Sequence, residues 1–200
     1  MTIEIAKGAE AVITKEKDII KKNRLVKNYR IKQIDEKLRK QRTRNEASLM
    51  RAARRAGINV PANVDDSDFD IVMEYVDGIK IKDFFENDYK RLAEKIAESV
   101  ARMHAYDIIH GDLTTSNMLL KDGDIYFIDF GLGFISKRTE DKAIDLFLLH
   151  EAIESTHHTV LQNAWKIILN TYRKEYPESE EIIKALQKIE KRRRYTKKDW

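Results

Sequence analysis

Apolar and polar residues alternate in short runs through "EIAKGAEAVITKEKDIIKKNRLV", Glu4 to Val26, a pattern that predicts two or three strands with a turn at Gly8. "DEKLRKQRTRNEASLMRAARRAG" follows; it is rich in helix formers, has no internal Gly or Pro, and predicts one long helix stopped at Gly57. Pro61 and "DDSDFD" mark loop and turn, and "DIVMEYV" predicts a buried strand ending at the turn signal Asp77-Gly78. "IKDFFEN" and "YKRLAEKIAESVARMHAYD" read as helical, with Ile96, Val100 and Met103 at helical spacing. "IIHGDLTTSNMLLKDGDIYFIDFG" reads as loop, strand, turn at Asp122-Gly123-Asp124, and strand. The remainder is helical: "DKAIDLFLLHEAI", "TVLQNAWKIILNTYRKEY" and "SEEIIKALQKIEKRRRYTK". Strands first and helices later predict an α+β chain in two lobes split near residue 76.

Composition narrows the class. Two hundred residues suit one compact domain or two small lobes, and 42% hydrophobic residues can fill a core. The absence of cysteine excludes disulfides, thiolate chemistry and cysteine-ligated zinc. No apolar run approaches the roughly 18 residues of a membrane helix, and no charged-then-apolar leader opens the chain, so the expectation is a cytoplasmic protein without a membrane partner. The net charge of +4 is unevenly spread. Residues 15–44 hold thirteen Lys or Arg against four acids, while residues 65–88 hold nine acids against two Lys. The end of the chain, "KIEKRRRYTKKDW", is basic again, which suggests polyanion binding or charge-matched protein partners.

The candidate chemistry lies in "HGDLTTSNMLL" and the "IDFG" that follows it. Asp112, Asn117 five residues on and Asp129 twelve further stand at fixed offsets with apolar runs between. Phosphoryl transfer needs metal to neutralise phosphate charge, a group to position the nucleophile and a rigid frame. Magnesium prefers hard oxygen ligands, so Asp129 and Asn117 could hold it between them while Asp112 faces the attacking hydroxyl or water. His157-His158 does not read as a metal site, because neighbours on a helix point apart; both read as helix-end or surface histidines. His110 reads as a brace of its loop, and His104 and His150 as packing residues.

His110, Asp112, Asn117 and the triplet Asp129-Phe130-Gly131 resemble the catalytic and metal-binding loops of the protein kinase-like superfamily. The resemblance implies ATP and Mg2+ as cofactors, Asp112 as the catalytic residue, and Asn117 and Asp129 as the metal ligands. It also implies an upstream lysine paired with a helix glutamate to hold the α- and β-phosphates. Glu46 in "RTRNEA" fits the glutamate; alternation alone does not choose Lys21 or Lys22, and the spacing to "RLVKNYR" favours Lys22. "VMEYVDG" would be the hinge, with Met73 at the back of the adenine pocket and the backbone of Glu74 and Tyr75 meeting the base. "AKGAEAVI" would be the phosphate loop, with Gly8 as its single glycine. The implied fold is a minimal two-lobed kinase-like domain over 1–200, with a small β-rich N-lobe of about 1–75 and a reduced helical C-lobe of about 76–200.

The departures are informative. Gly111 and Thr114 stand where conventional protein kinases carry an arginine and many carry a lysine, and only 69 residues follow Gly131, without an Ala-Pro-Glu segment. "RLVKNYR", "RTRNEASLM", "HGDLTTSNM", "IDFGLGFIS" and "EDKAIDLFLLHEAI" together resemble the small atypical kinases of the KEOPS/EKC complex, called PRPK in animals; the run 110–157 is the most specific part. That resemblance implies an ATPase and weak serine/threonine kinase within the machinery of tRNA threonylcarbamoyladenosine modification. It implies contact with the threonylcarbamoyl-transferase subunit and other subunits of the complex. It also makes tRNA the expected polyanion for the basic tail of about 188–200, where Lys188, Lys191, Arg192, Arg193, Arg194, Lys197 and Lys198 cluster. The rival readings are a RIO-type protein kinase or small-molecule phosphotransferase, and an idle RNA-binding scaffold subunit.

Overall fold

The computed structural model describes residues 2–196, with side chains through Arg193; Lys197, Lys198 and Trp200 lie outside the described residues. Strands β1 (Ile3–Lys7), β2 (Ala11–Glu16), β3 (Ile19–Arg24), β4 (Asp65–Asp66) and β5 (Asp70–Glu74) form one antiparallel sheet in the order β1-β2-β3-β5-β4. The turn at Gly8 separates β1 from β2, where the Gly8 N–H donates to the Ala11 carbonyl at 2.9 Å. The strand predicted from "DIVMEYV" is β5, but only Ile71 in it is buried. Its other side chains are half-covered, and Met73 and Glu74 among them line the cleft under the sheet.

Helix α1 (Lys32–Arg55) crosses from the sheet to the helical part of the molecule. Thr43, Glu46, Ala47, Met50 and Ala53 recur three and four apart and are all buried, so one stripe of the helix faces inward. It stops as its sequence predicts: Gly57 takes φ +78, its N–H donates to the Arg54 carbonyl, and the Ile58 N–H reaches the Ala53 carbonyl. Those two bonds make a Schellman end, which needs the left-handed conformation that glycine adopts without strain.

The main core lies in the helical part. Helix α2 (Ile81–Phe84) and a 3-10 turn, Phe85–Asp88, lead into α3 (Tyr89–Ala105); α4 (Thr139–Thr156), α5 (Leu161–Glu175) and α6 (Ser179–Thr196) complete it. Leu92, Ile96, Val100 and Met103 of α3, Leu146, Leu149 and Ile153 of α4, and Ile168 and Tyr172 of α5 are sealed from solvent. Leu49, Met50 and Ala53 of α1 join this cluster, so the helix ties the sheet to it.

Short strands frame the loop of interest. β7 (Ile108–Ile109) precedes it and pairs with β10 (Phe134–Ile135); β8 (Met118–Lys121) follows it and pairs with β9 (Asp124–Phe127) and with β6 (Ile79–Lys80). Residues 110–117 therefore leave one strand pair and enter another, with Leu113, Met118, Phe127 and Phe130 buried as anchors. Gly111 sits at φ +78 directly under the Leu132–Gly133 backbone, where a Cβ would overlap the Leu132 carbonyl. A side chain as large as arginine has no room there.

Candidate active site

Strand β3 aims two cations inward. Ile19 and Ile20 leave the phase of "IIKKNR" open on paper; in the fold Ile20 is buried and Ile19 is 51% exposed. Lys22 and Arg24 share the face of Ile20 by the two-residue repeat of a strand, and both are buried. Lys22 Nζ donates to Glu46 Oε1 at 2.7 Å and to Asp129 Oδ1 at 2.8 Å. Arg24 Nη2 takes the other Glu46 oxygen at 2.5 Å. Lys21 points outward and pairs with Asp70 at 3.1 Å. Burial works against the Lys22 ammonium, but Glu46 and Asp129 outweigh it and hold its pKa above the usual lysine value. Burial also opposes the Asp129 charge; Lys22 overcomes it and holds this carboxyl below the usual range.

The loop 110–117 is fastened from behind by α4. Asp145 accepts from the backbone N–H of His110 at 2.8 Å and of Gly111 at 2.9 Å, and its Oδ2 lies 3.3 Å from His104 Nε2. Burial alone would push the Asp145 carboxyl up, yet His104, His110 and these bonds keep it below its ordinary value. His104 Nδ1 continues to the Tyr172 hydroxyl at 2.8 Å. His110 is fully buried against Phe130, ring centroids 4.5 Å apart. Burial pushes its pKa down. The neutral ring donates from Nε2 to the Ile128 carbonyl and accepts at Nδ1 from the Asp112 N–H, at 3.1 and 3.3 Å. It joins the loop to the strand end that carries Asp129.

At the front of the loop Asn117 Nδ2 donates to the Asp112 carbonyl at 2.9 Å and to Asp112 Oδ2 at 2.8 Å. Both amide hydrogens are used, so Asn117 Oδ1 is the acceptor that remains. Asp129 stands at φ +62, a conformation aspartate tolerates better than most residues. It is kept there partly by Gly131 N–H to Oδ1 at 3.2 Å. Asn117 and Asp129 both line one cleft, and a carboxamide oxygen beside a carboxylate is a donor set that suits Mg2+.

That cleft has a volume of about 370 Å3 and runs between the sheet and the loop. Lys22, Glu46, Met73, Glu74, Tyr75, Asn117 and Asp129 all line it; Lys21 does not. Gly8 lies exposed at the turn between β1 and β2, while β1, which carries a register shift between Glu4 and Ala6, contributes Ile5 and Ala6 to the cleft. Of the backbone at Glu74 and Tyr75, the Tyr75 N–H donates to the Asp18 carbonyl at 2.8 Å and the Glu74 N–H to the Ala62 carbonyl at 2.9 Å. Asp112 does not line the cleft itself and reaches it through Asn117.

Sequence reasoning missed Arg24 and Asp145, and the cleft residues Lys80 and Ser116. Asp145 carried a signal: it is an acid at a core position of a helical pattern, between buried Ala143 and buried Leu146. Arg24 carried one too, two residues after Lys22 on the same strand face. Arg193, counted among the tail cations, is engaged on α4 with Glu151 and with Glu154 at 3.3 Å.

The family model for the RIO domain matches residues 1–148. The KEOPS complex subunit Bud32 of Pyrococcus abyssi is 39% identical over 190 residues, which cover 91% of this chain and 86% of that protein. Probable bifunctional tRNA threonylcarbamoyladenosine biosynthesis proteins are also similar. That of Methanocaldococcus jannaschii is 41% identical over 96% of this chain, and that of Methanosarcina barkeri 40% over 94%. The chain spans only 36% and 35% of those two proteins. Among solved structures, the Rio2 kinase of Chaetomium thermophilum, determined with ADP, Mg2+ and phosphoaspartate, superposes with a TM-score of 0.66 at 16% identity, over 96% of this chain and 70% of that one. WaaP in complex with acyl carrier protein gives 0.65 at 14%, over 94% and 87%. Those two likenesses are of fold, and the fold is the α+β kinase-like one. RIO-type and KEOPS-type readings, opposed on sequence alone, are thereby joined: the chain belongs to the RIO-domain family and, within it, to the family of the KEOPS complex subunit Bud32.

Proposed function

We propose that this chain is a Mg-ATP-dependent atypical serine/threonine kinase or ATPase that serves as a KEOPS subunit in threonylcarbamoyladenosine modification of tRNA. The observation that carries the enzymatic part is the Lys22 ammonium shared between Glu46 and Asp129 at 2.7 and 2.8 Å, beside an Asn117 that holds Asp112. In this reading the chain is one catalytic unit, with residues of about 1–75 above the cleft and about 76–200 below it.

Each residue has a separate task. Lys22 draws the α- and β-phosphates, and Glu46 keeps it extended into the cleft. Met73 backs the adenine, and the hinge around Glu74 and Tyr75 borders it. Asn117 Oδ1 and Asp129 hold Mg2+, which when bound neutralises charge on the transferring phosphoryl group. Asp112 orients the attacking hydroxyl or water and accepts its proton. The 2.8 Å bond from Asn117 Nδ2 fixes the Asp112 carboxylate for that task.

The assembly part rests on the relatives. The bifunctional ones are about three times as long as this chain, and we take the threonylcarbamoyl-transferase and other KEOPS subunits as its partners. We read the protein as cytoplasmic; among the described residues no helix is long and apolar enough to cross a membrane. The basic tail is proposed to meet tRNA. The test is labelled-ATP turnover by the chain alone, with the transferase, and with tRNA. The expected result is Mg-dependent turnover raised by the partner and weak phosphorylation of unrelated peptides. Absence of turnover under all three conditions would instead favour a non-catalytic RNA-binding scaffold.

A further inference from the structure

Helix α4 meets the loop before Asn117 twice. Near its middle Asp145 takes the His110 and Gly111 amides. Twelve residues later His157, at the C-cap of the same helix, turns inward. It is a helix-end histidine, as its sequence setting suggests, but at 2% exposed it is not a surface one. Its Nε2 lies 3.2 Å from the hydroxyl of Thr115, which is itself 1% exposed. The Phe85 ring packs 4.9 Å from the imidazole, and Glu86 stands 3.9 Å from its other nitrogen.

Thr115 opens the 3-10 turn that ends at Asn117. A turn this short has little hydrogen bonding of its own to set its path. Ser116 and Asn117 line the cleft, Asn117 holds Asp112, and the Asn117 carbonyl accepts from Ile128 beside Asp129. We propose that His157 is a positioning residue: through the Thr115 hydroxyl it fixes the turn that aims Asn117 Oδ1 at the metal. Asp145 pins the start of the loop and His157 its end, both from one rigid helix, with Asp112 between them. Magnesium tolerates little error in ligand placement, so support of this kind reaches its affinity. The inference rests on the proposed reading of Asn117 as a metal ligand.

The experiment measures binding of a non-hydrolysable ATP analogue by calorimetry, in Mg2+ and in EDTA. The variants are His157→Leu, His157→Gln, Thr115→Val and the His157→Leu/Thr115→Val pair. Expected is a loss of about ten-fold in the Mg-linked gain of affinity for His157→Leu and for Thr115→Val. Metal-free affinity should change by no more than about two-fold, because the contact acts on the metal side of the site. His157→Gln should keep most of the gain, and the pair should lose no more than either single change, since both cut one contact. If His157→Leu does not fold, the near-isosteric Thr115→Val carries the test. Unchanged Mg-linked affinity in a folded variant overturns the brace alone, as do independent, additive losses. An unmutated protein with no Mg-linked binding overturns the reading of the site, and the brace with it.

Discussion

Both oxygens of the Glu46 carboxylate carry a cation, Lys22 on one and Arg24 on the other, and Lys22 alone also reaches Asp129. Removing charge at different points of this set should therefore have different effects. On the proposed roles, Asp129→Asn should leave a folded protein that has lost most Mg-dependent turnover, because a metal ligand and a Lys22 partner are weakened together. Asp112→Asn should lower turnover by about 100-fold or more while nucleotide affinity stays within a few-fold, since a general base acts on the nucleophile and not on the phosphates. Calorimetry paired with turnover separates the two; lost nucleotide binding in Asp112→Asn would contradict its role. Much of this residue set was legible because its spacing is local to one loop and one strand end. Lys22 over Lys21 was not settled by alternation, because two adjacent isoleucines leave the strand phase open and only burial of Ile20 closes it. The course of β1 beside Gly8 and the pairing of the Tyr75 N–H were not legible, because a strand register shift and a backbone bond to Asp18 are long-range facts.

Among the elements, α1 was readable to its last turn, since Gly57 writes the Schellman end into the sequence. α4 was readable as a helix, but its fastening role was not. The buried positions Lys142, Asp145 and Leu146 mix charge with apolar residues, and only long-range partners explain the charges: Asp107 and the Tyr176 hydroxyl for Lys142, the loop 110–117 for Asp145. Asp145→Asn should cost about 2–3 kcal/mol in urea unfolding, because a neutral amide cannot replace an ionised acceptor for two amides. The two histidines that this helix and loop bury also set a pH dependence. Burial lowers the pKa of His110 and of His157 from 6.5, with Asp145 opposing for the first and Glu86 for the second. Below pH 6.5 the unfolded chain takes up protons that the folded one still refuses, so stability falls as pH drops through that value toward the folded pKa values. The depressed carboxylates Asp129 and Asp145 act only at lower pH, below about 4, which leaves the window above pH 5 to histidine. Urea midpoints between pH 5 and 8 should decline on the acid side, less so in His157→Gln. Equal slopes in the two proteins would remove His157 from the account.

At the scale of the whole molecule, strands before helices predicted two parts, and the sheet and the helical core are those parts. Less legible was how α1 bridges them, because its apolar stripe looks the same whichever part it packs on. Charge is likewise divided along the chain. Residues 65–88 are strongly acidic and would repel a polyanion, while the tail gathers seven Lys or Arg within 188–198. Arg193 cannot be counted fully toward an RNA, because Glu151 and Glu154 of α4 already hold it. A truncation that removes it would disturb the α4–α6 contact as well as the charge. Deleting residues 194–200 avoids this: it spares Arg193 and removes Arg194, Lys197 and Lys198. If those three contact phosphates, each releases condensed counterions, and the slope of log affinity against log salt should flatten by roughly 0.9 for each, close to 3 in all. Affinity for tRNA should fall at low salt and differ less as salt rises, with no preference among tRNA sequences. ATP binding should be unchanged, because the cleft is built from residues 5 to 129. Superimposable salt titrations of full-length and truncated protein would leave the tail without this role. The test would then move to the basic helix segment from Arg39 to Arg44, where Lys40 and Arg44 already share Asp68 and a shallower salt dependence is expected.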